Sequence, residues 1–260
     1  MGGTIRDETK SPEPASAGVE PLVFGSGHAS AALRHTTHIL SSIPPGEAGD
    51  PVLARHADQI HAAPELRWIG YLSTVGVYGD HGGAWVTEET LPNPSQPRTI
   101  ARIEAENAWT QLAERKRVPL AIFRIAGIYG PGRNELANLA DGTAHRIVKP
   151  GQVFNRIHVT DLAEAVAAAL ARAAAGIVNL ADDEPAPPQD VVTYAAKLMG
   201  VEPPPGIPFD RAELSAMARS FYAENKRVAN GRLHALLGRP LRFPTYREGL
   251  TEMWERHTWR

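Results

Sequence analysis

Hydroxyls that close two short apolar runs are the groups in this chain best placed for chemistry. Trp68, Ile69, Tyr71 and Leu72 fall within five residues and are followed by Ser73, Thr74 and, after a glycine, Tyr78. The run is too short for an ordinary helix and predicts a strand buried on both faces of a parallel sheet. Ser73 and Thr74 then stand at its carboxyl end, where open α/β sheets take their ligands. A second run over 37–43 carries Ser41 and Ser42 and is stopped by Pro44 and Pro45. Arg98 and Arg102, four apart, share one face of a helix expected over 98–115. A guanidinium polarises a carbonyl or clamps a carboxylate or phosphate, but it stays protonated and exchanges no proton. By residue type alone, Ser73–Thr74 reads as a polar turn after a core strand, and the arginine pair has a solvated first helical turn as its alternative, with Arg102 the one favoured for a functional role.

Composition removes several kinds of chemistry. With no cysteine, the chain has no disulfide, thiolate nucleophile or Cys-ligated zinc. The ten histidines are scattered, His35 and His38 being the closest pair, and no HExxH motif occurs, so no metal is expected. A formal charge of -2 gives no electrostatic case for nucleic acid or an anionic membrane. The first twenty residues are polar and charged, without a signal-peptide pattern. The most apolar run, 162–178, contains Glu164 and Arg172 and reads as an alanine-rich helix rather than a membrane span. A cytoplasmic location is expected.

Strand and helix patterns alternate four times, which predicts a parallel sheet covered on both faces. Residues 20–24 form a short strand candidate, followed by Gly25-Ser-Gly27-His-Ala-Ser30, which imitates a dinucleotide fingerprint. Its helix has room for barely two turns, and the next strand lacks an acid at its tip, so it reads as a surface turn. Asp50 followed by Pro51 predicts a capped helix start. The helix over 98–115 carries an apolar stripe of Ile103, Ala108, Trp109 and Leu112, and strands are expected at 119–125 and 176–180. Thr160 or Asp161 is expected to cap the alanine-rich helix, and a helix is expected over 189–199. Residues 201–208, rich in proline, predict a stiff linker. Short helices at 213–219, 225–237 and 246–254 suggest a small cap.

Four stretches in this order resemble the extended short-chain dehydrogenase/reductases, also called NAD-dependent epimerase/dehydratases. They are Leu72-Ser-Thr-Val-Gly-Val-Tyr-Gly79, Phe123-Arg-Ile-Ala-Gly-Ile-Tyr-Gly-Pro-Gly132, Arg156-Ile-His-Val-Thr-Asp161 and Leu236-Leu-Gly-Arg-Pro240. The resemblance covers about 37–250 and is strongest to atypical members with edited catalytic residues. It implies a Rossmann-like, doubly wound, mostly parallel α/β sheet, with an NAD(P)-binding region over 1–200 and a substrate cap over 201–260. Thr74 falls at the family's catalytic Ser/Thr position. Arg98 stands where the family's Tyr is expected and Arg102 where its Lys is expected, with Tyr78 the phenol nearest Thr74. By the order of the motifs, the family's first strand and glycine-rich turn would precede residue 1, and residues 3–7 read as the tail of the second strand.

The resemblance further implies NADP or NAD as cofactor, with Arg6 favouring NADP, and none for a truly truncated chain. Ser41, Ser42, Pro44, Gly127 and Tyr129 would flank it. Arg133, Asn155, Arg156, His158, Tyr222 and Lys226 would line the substrate, with loop or structural roles as the alternative, above all for His158. The expected activity is oxidoreduction or epimerisation of a small polar metabolite, a nucleotide sugar among the candidates. The rival is a non-catalytic, nucleotide-binding relative acting as sensor or scaffold. No nucleic-acid or membrane partner is expected, and a homodimer is left open.

Overall fold

The computed structural model describes residues 1–10 and 12–260, residues 13 and 14 by their backbone only. Its strands are β1 (Gly2–Ile5), β2 (Glu20–Val23), β3 (His38–Ser41), β4 (Trp68–Thr74), β5 (Trp85–Val86) and β6 (Leu120–Ile125). They continue with β7 (Gly127–Tyr129), β8 (Arg146–Val148), β9 (Arg156–His158), β10 (Gly176–Leu180), β11 (Gly206–Pro208) and β12 (Arg227–Val228). The helices are α1 (Pro12–Ser16), α2 (Gly27–Ala32), α3 (Pro51–Ala62), α4 (Pro97–Lys116) and α5 (Glu135–Ala140). After them come α6 (Val159–Ala171), α7 (Pro188–Met199), α8 (Ala216–Tyr222), α9 (Gly231–Leu237) and α10 (Tyr246–Glu255).

The central sheet has the order β10-β6-β4-β3 with every pairing parallel, which makes the fold α/β and Rossmann-like. Period-two alternation explains its two covered faces. Trp68 of β4 and Phe123 of β6 pack with Ala165, Ala169 and Leu233 from α6 and α9. Ile69, Tyr71 and Ile122 point the other way, onto Ile60 of α3 and Trp109 and Leu112 of α4. Each such fully buried side chain contributes about 1.5–3 kcal/mol relative to exposure. The predicted start of α3 forms as written: Asp50 Oδ1 accepts from the N–H groups of Val52 and Leu53 at 2.9 and 3.0 Å. Its other oxygen accepts from Trp109 Nε1 at 2.9 Å, fastening α4 to α3.

Beside the sheet, β1 and β2 form a separate parallel ribbon. The free edge of β3 faces it across a narrow slot of about 120 Å³ lined by Thr4, Phe24, Ile39 and Ser41. Leu40 on that edge is exposed to solvent.

Several expected boundaries differ. The alanine-rich helix is capped by His158, whose Nδ1 accepts from Thr160 N at 3.2 Å. Asp161 is instead fully buried and accepts from the N–H groups of Arg242 and Phe243 at 2.7 and 2.9 Å. The stiff linker ends as a strand, because residues 206–208 pair with β8. The helix expected from 225 begins at Gly231, since Arg227 and Val228 pair with β5. Residues 201–260 therefore wrap the main body: α9 packs on α6, and α10 packs on α7 through Tyr246, Leu250 and Met253. Among the described residues, no helix is long and apolar enough to cross a membrane.

Candidate functional site

The carboxyl ends of β4 and β6 open into a cleft of about 980 Å³. Ser42 and residues 72–76 and 125–129 form its floor. Its outer wall comes from α5, the segment before β9, α8 and α10. Thr74 is half-buried there, and its Oγ1 accepts from Gly76 N at 3.1 Å, capping the 3₁₀ turn Val75–Tyr78. The hydroxyl proton remains available to a ligand oxygen. Gly79 ends the turn at φ +72°, and a Cβ there would lie 1.9 Å from the carbonyl oxygen of Asn93. Only glycine fits that backbone and that approach.

The other three residues expected in the catalytic set take different positions. Tyr78 is fully buried, donates from its hydroxyl to Asn179 Oδ1 at 2.7 Å, and lies outside the cleft. Burial raises its phenol above the ordinary value. Arg98 reaches away to α8, donating to Ser220 Oγ at 2.8 Å with its guanidinium 4.7 Å from the Phe221 ring. Arg102 donates to Leu72 O at 2.9 Å and to the Tyr71 hydroxyl at 3.1 Å. One helix face thus sends its arginines to different partners, and neither lines the cleft. They tie α4 to the cap and to β4 rather than converging as an anion site beside Thr74.

Beneath the cleft lies a buried polar chain that the sequence reading missed. Arg124 Nε and Nη2 donate to both carboxylate oxygens of Glu106 at 3.3 and 2.8 Å, and the Ser73 hydroxyl donates to Glu106 as well. The Arg124 guanidinium also rests 4.8 Å from the Tyr78 ring. The expected helix stripe included Ile103 and Ala108, which are only half-buried, whereas Glu106 is buried. The missed signal was Arg124 itself: a charge inside a strand buried on both faces requires a partner.

Of the residues expected around a cofactor, Ser42, Gly127 and Tyr129 line the cleft. Ser41 faces the slot beside β3 and its buried hydroxyl has no partner, while Pro44 lies outside both cavities. Arg6 is exposed just past the end of β1. The cleft residues suit the nicotinamide and ribose half of a dinucleotide: a free Thr74 hydroxyl and Ser42 stand at the sheet mouth. The 25–27 turn offers no pyrophosphate cradle. Ser26 Oγ already accepts from Ala29 N, and Arg55 packs against Gly25 and donates to its carbonyl at 2.7 Å.

Among the expected substrate residues, Arg133, Arg156 and Tyr222 offer polar groups to the cleft. Arg133 is exposed, and Tyr222 stands in an aromatic corner with Phe154 and Phe209, at ring distances of 5.1 and 5.0 Å. Asn155 and Lys226 line the wall but are held by protein. Asn155 bonds Val228 N and Lys226 O, and Lys226 Nζ donates at 2.6 Å to both Gly79 O and Glu224 Oε2. His158 is a buried helix cap outside the cleft, and burial lowers its basicity.

Two further groups went unnoticed in the sequence. Tyr246 lines the cleft with a buried hydroxyl that has no partner, and burial pushes its phenol up to about 12. Asp182, just past β10, is buried, and burial pushes its carboxyl up to about 8.

The model of the NAD dependent epimerase/dehydratase family matches residues 60–181, the segment that builds β4, β6, β7, β9 and β10. A functionally unknown conserved protein from Silicibacter pomeroyi DSS is 46% identical, with a TM-score of 0.88 over 98% of this chain and 89% of that one. The chain belongs to the NAD-dependent epimerase/dehydratase family. UDP-glucuronic acid 4-epimerase from Bacillus cereus, solved in complex with NAD, shares the fold at 17% identity, with a TM-score of 0.72 over 96% of this chain and 86% of the epimerase. A curated relative, 3-diazoavenalumate denitrifying reductase from Streptomyces sp, is 28% identical over 166 residues, 59% of this chain. The chain spans about half the length of that reductase, 51%.

Proposed function

We propose that the protein is an NAD(P)-dependent oxidoreductase whose substrate is a small polar metabolite bearing an oxyanion. The observation that carries this reading is that the free Thr74 hydroxyl and the Arg156 guanidinium open into one cleft at the carboxyl ends of a parallel sheet. When bound, the nicotinamide would supply or accept hydride. Ser42, Gly127 and Tyr129 would hold its ribose side, and the exposed Arg6 favours NADP as the cofactor.

Thr74 would donate a hydrogen bond to the reacting oxygen, and Arg156 would anchor the anionic end of the substrate at the outer wall. The aromatic corner of Phe154 and Tyr222 suits a planar or ring-bearing body. Arginine in place of the phenol removes reversible proton exchange at position 98. That favours reduction, in which hydride from the nicotinamide and a proton from water are each delivered once, over epimerisation, in which one group must take up the hydroxyl proton and give it back as hydride leaves and returns. The Streptomyces relative, named as a reductase of a diazo compound, supports this branch, and the likeness to the UDP-glucuronic acid 4-epimerase keeps a nucleotide sugar as the alternative substrate.

A second reading, a binding relative without turnover, draws on Arg98 and Arg102 being engaged in tertiary contacts. Oxidation of NADPH or NADH, followed by absorbance with aryl carboxylates and nucleotide sugars as acceptors, separates the two. Turnover that falls about 100-fold in Thr74→Ala with unchanged circular dichroism supports the enzyme. Cofactor binding with no turnover on any acceptor supports the binding relative.

A further inference from the structure

Arg156 uses only part of its guanidinium on the protein. Nη1 donates to Phe154 O at 3.0 Å and to Ala186 O at 3.2 Å. Among the described residues, Nε and Nη2 have no acceptor and the guanidinium makes no ion pair. That leaves free the edge that matches a carboxylate or phosphate with two parallel hydrogen bonds. Behind it stands Asp182, whose backbone N donates to Arg156 O at 2.6 Å. Asp182 is 2% exposed; one carboxyl oxygen accepts from Glu184 N at 3.3 Å and the other has no partner. The buried Asp182 carboxyl acts electrostatically on the half-buried Arg156 guanidinium yet makes no ion pair with it, which needs an explanation, because an ionised carboxylate taken out of water requires a paired cation.

We propose that Asp182 sets the availability of Arg156 to an anionic ligand: its protonated form leaves the arginine fork free, and its ionised form neutralises the fork and weakens the anion's hold. This rests on the reading of the cleft as an oxyanion site. Burial holds the Asp182 carboxyl near 8, so it carries its proton at neutral pH and loses it under mildly alkaline conditions. The groups facing the pair do not supply the same titration. Glu135 of α5 and the phenols of Tyr129 and Tyr246 act on Arg156 from other elements, and burial raises both phenols. On the Asp182 segment, Glu184 is paired with Arg247 at 3.0 Å, and Asp183 with His234 at 2.7 Å. His234 is the ionisable partner of Asp183 on this segment, so His234→Gln serves as the control.

The test is the affinity of two oxyanions whose charge is constant across the range, sulfate and cinnamate, measured from pH 6 to 9.5 by NMR. The side-chain N–H resonance of Arg156, assigned by its loss in Arg156→Lys, reports the site directly. The wild type should bind about tenfold more weakly at the alkaline end. Asp182→Asn should hold the anion equally at both ends, and His234→Gln should behave as wild type. Asp182→Ala, checked for folding by circular dichroism, should also lose the pH dependence. Tighter cinnamate assigns the fork to an aryl carboxylate and tighter sulfate to a phosphoryl group. Affinity independent of pH in the wild type, or a slope that survives in Asp182→Asn, overturns the role of Asp182 while leaving the oxyanion site standing. No perturbation of the Arg156 resonance by either anion at any pH overturns the oxyanion reading itself.

Discussion

Replacing Glu106 with Gln should be the most damaging single-charge change in the protein. The Glu106 and Arg124 side chains are 5% and 3% exposed, so neither charge has water to fall back on. Glutamine keeps the shape and one acceptor but leaves Arg124 ionised in a site with no other carboxylate partner, and Arg124 Nη1 already lacks an acceptor. Breaking a buried pair on one side costs about 3–5 kcal/mol. The exposed pair Arg232–Glu89, with side chains 48% and 66% exposed, provides the scale: Glu89→Gln should cost under about 1 kcal/mol. Urea unfolding followed by circular dichroism measures both. Adding Arg124→Met to Glu106→Gln removes the stranded charge and should recover most of the loss. Equal costs for Glu106→Gln and Glu89→Gln, or no recovery in the double variant, would refute the claim that the charges beneath the cleft are interdependent.

Asp182→Asn should change the pH dependence of stability in a defined direction. The native carboxyl titrates near 8 against 3.8 for the ordinary group, so the native state holds the proton longer and wild-type stability falls as pH rises between those values. Relative to the wild type, the Asn variant should therefore gain roughly 3 kcal/mol between pH 5 and pH 7, measured by urea unfolding. Gly79→Ala forces a side chain into φ +72° and against Asn93 O, and should lose at least about 1–2 kcal/mol in the same assay. Arg98→Ala frees α8 from α4. Steady-state kinetics should show a raised KM with little change in kcat, since the contact holds the cleft wall and touches no reacting group.

What the sequence revealed depended on whether a residue's role was local or set by distant chain. The strand at 68–74, its hydroxyl tip and the Asp50–Pro51 helix start were readable because period, cap and breaker act within a few residues. The same holds for α4, placed within one residue at each end, whereas the alanine-rich helix begins three residues before and ends seven before the expected run over 162–178. Glu106 was not readable: on a polar helix it looks solvated, and its partners are Arg124, eighteen residues on in the next strand, and Ser73, thirty-three residues back. Arg98 and Arg102 were placed on the correct helix face, yet a face does not say where a long side chain ends. Ser220 and Leu72 decide that, and both depend on tertiary packing. Asp182 and Tyr246 went unnoticed because their unpartnered oxygens arise where β9, β10 and α10 meet, which no local pattern announces.

The central claim is that the mouth of the β3, β4 and β6 strands receives the nicotinamide dinucleotide. Amide hydrogen exchange with and without saturating NADPH, and in parallel NADH, tests it most directly. The account predicts slowed exchange at residues 42–43, 74–76 and 127–129, with the 25–27 turn unchanged. Protection confined to residues 25–30, or none at the sheet mouth while the cofactor is shown to be bound, would contradict it.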